Sequence, residues 1–264
     1  MDWLSIATAA LAGALAGLVA AFVRRKSKLH RAVVALAFVL CFALFSLLAK
    51  ELAMPRVRAW RAERALLEIP VYQLVKEGDP ATYEKLKSAM ASSVQRGESR
   101  EHVVNALRRA FVPTIPKYIP IASDASIVHY MEVLVKEMEA LLAKDASLCY
   151  QFLFPQPSVF LDLSKHLSSD LQKADMDALA EVIRSAITSP QARPDAKVGQ
   201  ELLGKVARDM AVEHGEDVSL LQKAQEPTAD KAKVCALTVS LYKRAIALPS
   251  QENGVLLRYL LAAP

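Results

Sequence analysis

Residues 3–49 decide the fold class, and they read in order WLSIATAALAGALAGLVAAFV, RRKSKLHR and AVVALAFVLCFALFSLLA. The first apolar run covers 21 residues, 3–23, and the second covers 18 residues, 32–49. About 17 to 25 helical residues cross a hydrocarbon core about 30 Å thick. Neither run contains an acidic or basic side chain. The pattern therefore predicts a transmembrane helical hairpin over residues 1–50, with a basic loop at residues 24–31.

A cleaved signal peptide is the alternative interpretation of the first run. Such a peptide starts with a basic segment, which is followed by an apolar centre of roughly 7–15 residues. Here the chain begins Met1-Asp2-Trp3 with no Lys or Arg before the apolar run, and that run is longer. We therefore predict that the first run is retained as a span, with Trp3 as an aromatic anchor at the membrane–water interface.

The side of the membrane is predicted from the Lys and Arg residues that flank the spans, because short cytoplasmic segments carry an excess of them. Five lie in the loop: Arg24, Arg25, Lys26, Lys28 and Arg31. Five more follow the second run: Lys50, Arg56, Arg58, Arg61 and Arg64. We favour a cytoplasmic loop, because its charges are denser and lie close to the membrane on both flanks. Residues 51–264 are then extracytoplasmic, which means periplasmic in a bacterium.

Small residues recur every four positions on one face of the first run, at Ala9, Gly13, Gly17 and Ala21. Small side chains let two helices approach each other closely within a membrane. We predict that this stripe packs against the second span of the hairpin. Packing against another copy of the chain, which would make a homo-oligomer, is left open. An Ala-rich helix also produces such stripes by chance.

The basic character of the chain is confined to its first fifty residues. The net charge is +5, and residues 1–50 hold six Lys and Arg against one Asp, whereas residues 51–264 hold 27 basic and 27 acidic residues. Nucleic-acid binding depends on a basic face that displaces phosphate counterions. We therefore expect the lipid bilayer, and not nucleic acid, as a partner. Arg58, Arg61 and Arg64 have helical spacing and form either a contact to lipid headgroups or a solvated helix face.

Two of the three cysteines, Cys149 and Cys235, lie in the predicted soluble part. An extracytoplasmic compartment permits disulfides. A bridge closing this loop of 86 residues would stabilise the fold by about 4 kcal/mol in the chain-entropy model. Two separately buried thiols are the alternative, because free cysteine is often buried. The sequence leaves both open. Cys41 lies in the second apolar run, where it fills space as a small apolar residue.

Residues 51–264 are predicted to form a multi-helix bundle. Ala, Leu, Lys and Glu are abundant, glycine is scarce and strand-like alternation is nearly absent, which together favour helix. Residues that typically cap helix N-termini stand before several apolar faces: Asp79, Ser123 or Asp124, Asp145 and Ser169,. Gln172 lies three residues after Ser169, which is the spacing of a capping box.

Two proline-rich stretches interrupt the predicted helices. Residues 113–120 contain three prolines, which remove amide donors and disfavour an ordinary helix. We predict that this stretch is extended and crosses the face of its own bundle. Residues 188–195 contain two prolines and are the candidate point of sub-division within the domain.

No motif for catalysis, cofactor binding or metal binding stands out. The five histidines are scattered, and the pairs His129–Glu132 and Asp162–His166 share only helical spacing, which is far from a metal site. Glycines of the soluble part stand singly and form no phosphate-binding loop. Cys149 lies in an apolar setting that blunts a thiol nucleophile. We therefore assign no catalytic, cofactor-binding or metal-binding residue.

Three functions fit these features. The first, which we predict, is a membrane-anchored interaction or scaffold module on the extracytoplasmic face that binds or braces another membrane or envelope protein. The second is an all-α membrane-anchored enzyme with a helical pocket. The third is a small accessory subunit of a membrane complex, in which the small-residue stripe and the basic loop pack against other spans.

Overall fold

The computed structural model describes residues 17, 39–40, 42–44, 54–155 and 161–262. From the two apolar runs it describes Gly17 and residues 39–40 and 42–44, all of them helical. The predicted topology determinants and three members of the small-residue stripe lie outside the described residues: Arg24, Arg25, Lys26, Lys28, Arg31, Ala9, Gly13 and Ala21. Among the residues described, no helix combines the length and the apolar character needed to cross a membrane.

Residues 54–155 and 161–262 form helices and contain no β-strand, which confirms the predicted all-α bundle for this part of the chain. The α-helices are α1 Met54–Leu66, α2 Pro70–Gly78, α3 Pro80–Gln95, α4 Arg100–Phe111, α5 Asp124–Lys144, α6 Ala146–Leu153, α7 Ser169–Thr188, α8 Ala196–His214, α9 Lys231–Ala247 and α10 Asn253–Ala262. Short 3-10 helices cover Val112–Lys117, Ile119–Ile121, Leu163–Lys165 and Gly215–Leu221.

The chain divides into two compact units. One consists of Met1–Leu66 with Leu86–Arg108, and the other of Leu67–Lys85 with Arg109–Pro264. Helix α1 belongs to the first unit, and α5 to α10 belong to the second. Both sides of the proline-rich stretch 188–195 therefore lie within the same unit. Within that unit the stretch is tied down by a hydrogen bond of 2.8 Å from the Gln191 amide to the Ile121 carbonyl.

Helix α5 is the centre of the second unit and packs against α6, α7, α9 and α10. Its fully buried apolar side chains recur at intervals of three, four and seven residues: Ile127, Met131, Met138 and Leu141. This spacing places them on one stripe of a helix with 3.6 residues per turn. Burying each of them stabilises the fold by about 1.5 to 3 kcal/mol relative to an exposed position. The core of the unit therefore runs along α5.

Three of the predicted helix caps are present in the structure. The carboxylate of Asp79 accepts a hydrogen bond from the Thr82 amide, 3.3 Å away, at the start of α3. Ser123 caps α5, and Asp145 caps α6. Each side chain satisfies an amide that has no partner within the first helical turn, which stabilises the helix by about 1 kcal/mol.

The predicted capping box at Ser169 and Gln172 is wrong by one residue. The cap of α7 is Ser168, whose backbone is extended (φ −68°, ψ 153°) and whose hydroxyl accepts from the Leu171 amide. The Gln172 side-chain amide instead donates to the carbonyl of Leu167, 3.0 Å away. Both serines offer a suitable oxygen, and only the backbone conformation decides which of them lies outside the helix.

The prediction that residues 113–120 are extended is also wrong. The stretch forms the two 3-10 helices Val112–Lys117 and Ile119–Ile121, with Tyr118 in the turn between them. Proline fixes φ near −65°, which suits a helical turn. The missing amides of Pro113 and Pro120 cost nothing, because both residues lie in the first two positions of their helices, whereas Pro116 lies inside the first helix,. Amides that follow the prolines make the turn bonds, such as Tyr118 N to Ile115 O at 2.9 Å. The predicted packing on its own bundle does occur, because Tyr118 and Ile119 are buried.

Candidate functional site

Arg258 is a buried arginine of the second unit that makes three hydrogen bonds to distant parts of the chain. It lies on α10 with only 5% of its surface exposed. Its guanidinium donates to Asp124 Oδ1 at 2.9 Å, to the Pro120 carbonyl at 3.0 Å and to the Ala192 carbonyl at 2.7 Å. One arginine thus joins α10 to the first turn of α5, to the second 3-10 helix and to the connection before α8. A buried guanidinium needs such partners, because an unpaired charge in the core is strongly destabilising.

Gly254 lets α10 approach α5 beside this arginine. A Cβ atom at position 254 would lie 2.6 Å from the Cα atom of Asp124. Such a distance is far below van der Waals contact, so only glycine fits unless one helix moves. The glycine therefore sets the separation at which Arg258 reaches Asp124.

An open groove of about 490 Å³ lies next to this junction. Its lining comes from the first turns of α5 and from the residues around the start of α10: Asp124, Ala125, Val128, His129, Glu132, Ser250 and Asn253. His129 Nδ1 is 3.9 Å from Glu132 Oε2, and both side chains are about half exposed. Asp124 is already paired with Arg258. In the described part of the chain, no group of three or more His, Cys, Asp or Glu residues is placed to hold a metal ion.

A second groove of about 380 Å³ between α8 and α9 provides the sharpest test of the enzyme hypothesis. His214 Nε2 lies 3.0 Å from Ser240 Oγ, which is the distance between a nucleophile and its base. Glu213 Oε1, however, is 3.7 Å from the same Nε2 atom. In a serine–histidine–acid triad the acid binds Nδ1, which leaves Nε2 for the serine. The pair therefore lacks the geometry of that triad.

The cations of this groove are also paired within the protein. Arg244 contacts the Glu213 carboxylate, and Lys243 contacts the Glu139 carboxylate. His214 is the last residue of α8, and its contact with Ser240 links this end of the helix to α9. This arrangement fastens the end of α8 to α9, and the groove does not supply a catalytic set.

A third polar cluster joins the start of α3 to the 3-10 segment. The Tyr118 hydroxyl donates to Asp79 Oδ2 at 2.6 Å, and the Lys117 ammonium contacts the same carboxylate and lies 2.7 Å from Thr82 Oγ1. Burial raises the pKa of Tyr118. Burial also lowers the pKa of Lys117, although the neighbouring carboxylate favours its charged form. Because Asp79 holds both donors and caps α3, we interpret this cluster as structural.

The structure brings the two candidate cysteines together. The Cα atoms of Cys149 on α6 and Cys235 on α9 are 6.2 Å apart, and the two sulfur atoms are joined as a disulfide. Both residues are fully buried. Alongside them, the Tyr150 hydroxyl donates to the Ala224 carbonyl at 2.8 Å. In this arrangement Cys149 is not available as a nucleophile.

Apolar side chains are exposed where the structure describes the second apolar run. Residues 39–40 and 42–44 are helical. The exposed fractions are 59% for Val39, 61% for Leu40, 37% for Phe42 and 62% for Leu44. Clustered apolar exposure of this kind is unusual on a surface that faces water and typically marks contact with a membrane or a partner. Gly17, the described member of the small-residue stripe, has room for a Cβ with no described atom within 4 Å.

Sequence reasoning missed Arg258 and Gly254. The signal was available, because a single arginine stands within the apolar sequence Val-Leu-Leu-Arg-Tyr-Leu-Leu at residues 255–261. A charged residue on the buried stripe of a helix needs partners from other elements. Its partners, however, are 134 and 138 residues earlier and 66 residues earlier in the chain, so they could not be identified from spacing.

Comparisons of the chain with protein-family models, with curated proteins and with solved structures found no match.

Proposed function

We propose that this protein is a membrane-anchored helical interaction module whose folded part lies on the extracytoplasmic side. The observation that carries the anchoring is the exposure of Val39, Leu40, Phe42 and Leu44 on a helical stretch of the second apolar run. Surrounded by water, such side chains would lose the transfer free energy that apolar residues gain by burial. In contact with lipid, the same side chains retain this transfer free energy. The lengths of runs 3–23 and 32–49 support two spans.

The disulfide supports the extracytoplasmic side. Cytosolic thiols are kept reduced, whereas structural disulfides persist in oxidising compartments. Cys149 and Cys235 are fully buried and positioned for a bridge with Cα atoms 6.2 Å apart, within the range of about 4.4 to 6.8 Å that disulfides use. The dense basic loop at residues 24–31, predicted to be cytoplasmic, supports the same orientation.

A scaffold role is supported by the way the polar groups of the second unit are used. Arg258 and Asp79 each bind several elements of the bundle together. The groove with the serine–histidine pair has both cations engaged by carboxylates. These contacts join elements of the second unit to one another, and a bundle held together in this way at a membrane is suited to binding or bracing a second protein there.

Membrane insertion, and the side of the membrane on which the C-terminus lies, are tested with the full-length chain in bacterial cells. Alkaline phosphatase and a fluorescent protein are fused separately to the C-terminus, and membranes are washed with alkaline carbonate. Pellet-bound protein with active phosphatase and no fluorescence is expected. Recovery in the carbonate wash contradicts anchoring, and fluorescence without phosphatase activity contradicts the orientation.

The disulfide is tested in the same cells by blocking free thiols with a mass-tagged maleimide under denaturing conditions. We expect tagging at Cys41 alone before reduction and at Cys41, Cys149 and Cys235 after reduction. The Cys149→Ser variant is the control and should expose the Cys235 thiol to the reagent before reduction. Tagging of both buried cysteines in the unreduced wild type would contradict the bridge and the compartment together.

The interaction is tested through α8, where Val212 is 90% exposed. A photo-crosslinking residue replaces Val212 in intact cells, and the control places it at the exposed polar position Lys223. A module with a defined partner should give one discrete adduct in the membrane fraction from the Val212 position, or from other exposed positions of a scan along the bundle. A scan without discrete adducts contradicts the interaction role while leaving the anchor unaffected.

A further inference from the structure

Helix α1, Met54–Leu66, presents an exposed face that combines one aromatic ring with two arginines. Trp60 is 56% exposed, and Arg61 and Arg64 are both exposed. The Arg64 guanidinium carbon lies 5.3 Å from the centroid of the Trp60 ring, within the range of a cation–π contact. Steps of one and four residues keep all three side chains on one side of a helix.

The charge of this face is not compensated by the acidic residue of α1. The sequence of the helix, MPRVRAWRAERAL, contains a single acidic residue, Glu63. Its carboxylate is 3.2 Å from the Lys87 ammonium in the same unit. Within the described part of the chain, neither Arg61 nor Arg64 forms an ion pair with a carboxylate, and Arg64 contacts the Trp60 ring. The exposed face is therefore positive and carries a large amphipathic ring.

The position of α1 in the chain brings this face near the membrane. Met54, where α1 begins, is five residues beyond the end of the second apolar run at residue 49. A helix continuing straight along the membrane normal would carry Trp60 about 16 Å beyond that run. Pro55, however, has no amide hydrogen for the carbonyl of residue 51, and its ring disfavours a continuous straight helix. A kink at Pro55 would let α1 lie along the membrane surface.

We propose that the face formed by Trp60, Arg61 and Arg64 docks onto anionic phospholipid headgroups of the membrane that holds the chain. This inference rests on the proposed membrane anchoring. The arginines bind headgroup phosphates through paired N–H donors, which the planar guanidinium presents in a fork. The Trp60 ring lies at the level of the headgroups, where amphipathic aromatic rings are enriched. The contact holds α1 at the bilayer surface.

Trp60 also serves as the probe, because the chain has two tryptophans, Trp3 and Trp60. The full-length Trp3→Phe variant is reconstituted into lipid nanodiscs made of phosphatidylcholine alone or with added phosphatidylglycerol. Indole emission and quenching by aqueous acrylamide are recorded at low and high salt. We expect anionic lipid to shift the emission to the blue and to lower the quenching constant several-fold, with partial reversal at high salt because headgroup attraction is screened.

The charge dependence is tested with the pair Arg61→Glu and Arg64→Glu. Each arginine near an anionic surface contributes about a fivefold preference for docking, so the pair should abolish the effect of phosphatidylglycerol. The control pair Lys197→Glu and Arg208→Glu, at exposed positions of α8, changes the net charge equally and should keep it. If the Trp3→Phe variant does not fold, the difference spectrum between wild type and Trp60→Phe gives the same readout.

The outcomes separate this inference from the anchoring. Protein that enters nanodiscs and shows the same Trp60 quenching in both lipid mixtures overturns the headgroup contact while the anchoring stands. Loss of the lipid effect in the α8 control pair also overturns it, because a diffuse charge effect would then suffice. Protein that does not co-purify with nanodiscs at all overturns both.

Discussion

Replacing Arg258 by Met is the sharpest test of how the second unit is held together. The substitution keeps most of the apolar volume of the side chain but removes its three hydrogen bonds, to Asp124, to the Pro120 carbonyl and to the Ala192 carbonyl. We expect the helices to remain formed, because α10 keeps its apolar contacts, and the free energy of unfolding to fall.

The magnitude follows from what each partner loses. Pro120 is buried, so its carbonyl would be left without this partner, at a cost of about 1 to 3 kcal/mol. The Asp124 side chain is 34% exposed, so it regains water, and its share is discounted to about 1 kcal/mol. The Ala192 carbonyl lies on a residue that is exposed and adds less. We therefore expect the free energy of unfolding to fall by about 3 kcal/mol in total.

The assay is urea unfolding of the full-length protein in detergent micelles, with the disulfide intact, followed by circular dichroism. Arg244→Met is the matched control, since Arg244 pairs with an exposed carboxylate and should cost less than about 1 kcal/mol. In a double-mutant cycle, adding Asp124→Asn to Arg258→Met should restore only part of the free energy of unfolding that Arg258→Met removes. A loss at Arg258 no larger than at Arg244 would refute the role assigned to the buried guanidinium.

Two further predictions concern the same unit. Gly254→Ala should destabilise the protein by about 1 to 3 kcal/mol, because its Cβ would lie 2.6 Å from the Asp124 Cα atom,. Gly204→Ala is the control, because the nearest atom to its Cβ is a side-chain nitrogen 3.6 Å away. This control should be neutral or should stabilise the protein by up to about 1 kcal/mol. Urea midpoints of the two variants decide this, and equal losses would contradict the close approach. Burial raises the pKa of Tyr130 above its ordinary value of 10.0; unfolded phenols therefore lose protons above pH 10 while the folded one keeps its proton, so stability must fall as pH rises past 10. Tyr130→Phe should make stability fall less steeply with pH, by up to about 1.4 kcal/mol per pH unit. Thermal unfolding between roughly pH 9 and 11 measures this slope. An unchanged slope of stability against pH would show that Tyr130 is not responsible.

Local features of the fold could be predicted from the sequence because their causes are local. Helix N-termini at Asp79, Ser123 and Asp145 follow from short polar side chains that bond amides two or three residues later,. The shift from Ser169 to Ser168 shows the limit of this reasoning, since neighbouring serines differ only in backbone conformation. The prediction that residues 113–120 are extended was wrong for a related reason. Proline excludes a long α-helix but is equally compatible with extended chain and with 3-10 turns.

The sequence by itself determined the all-α class, the neutral charge of residues 51–264, the two long apolar runs and the basic loop between them. Helical periodicity and charge count depend only on residue type and spacing. Tertiary structure alone decided that Cys149 meets Cys235, that Arg258 binds Asp124 and two distant carbonyls, and that Gly254 lets α10 approach α5 closely. These pairs are far apart along the chain, and they meet only because the packing of many apolar side chains along α5 fixes where each helix lies.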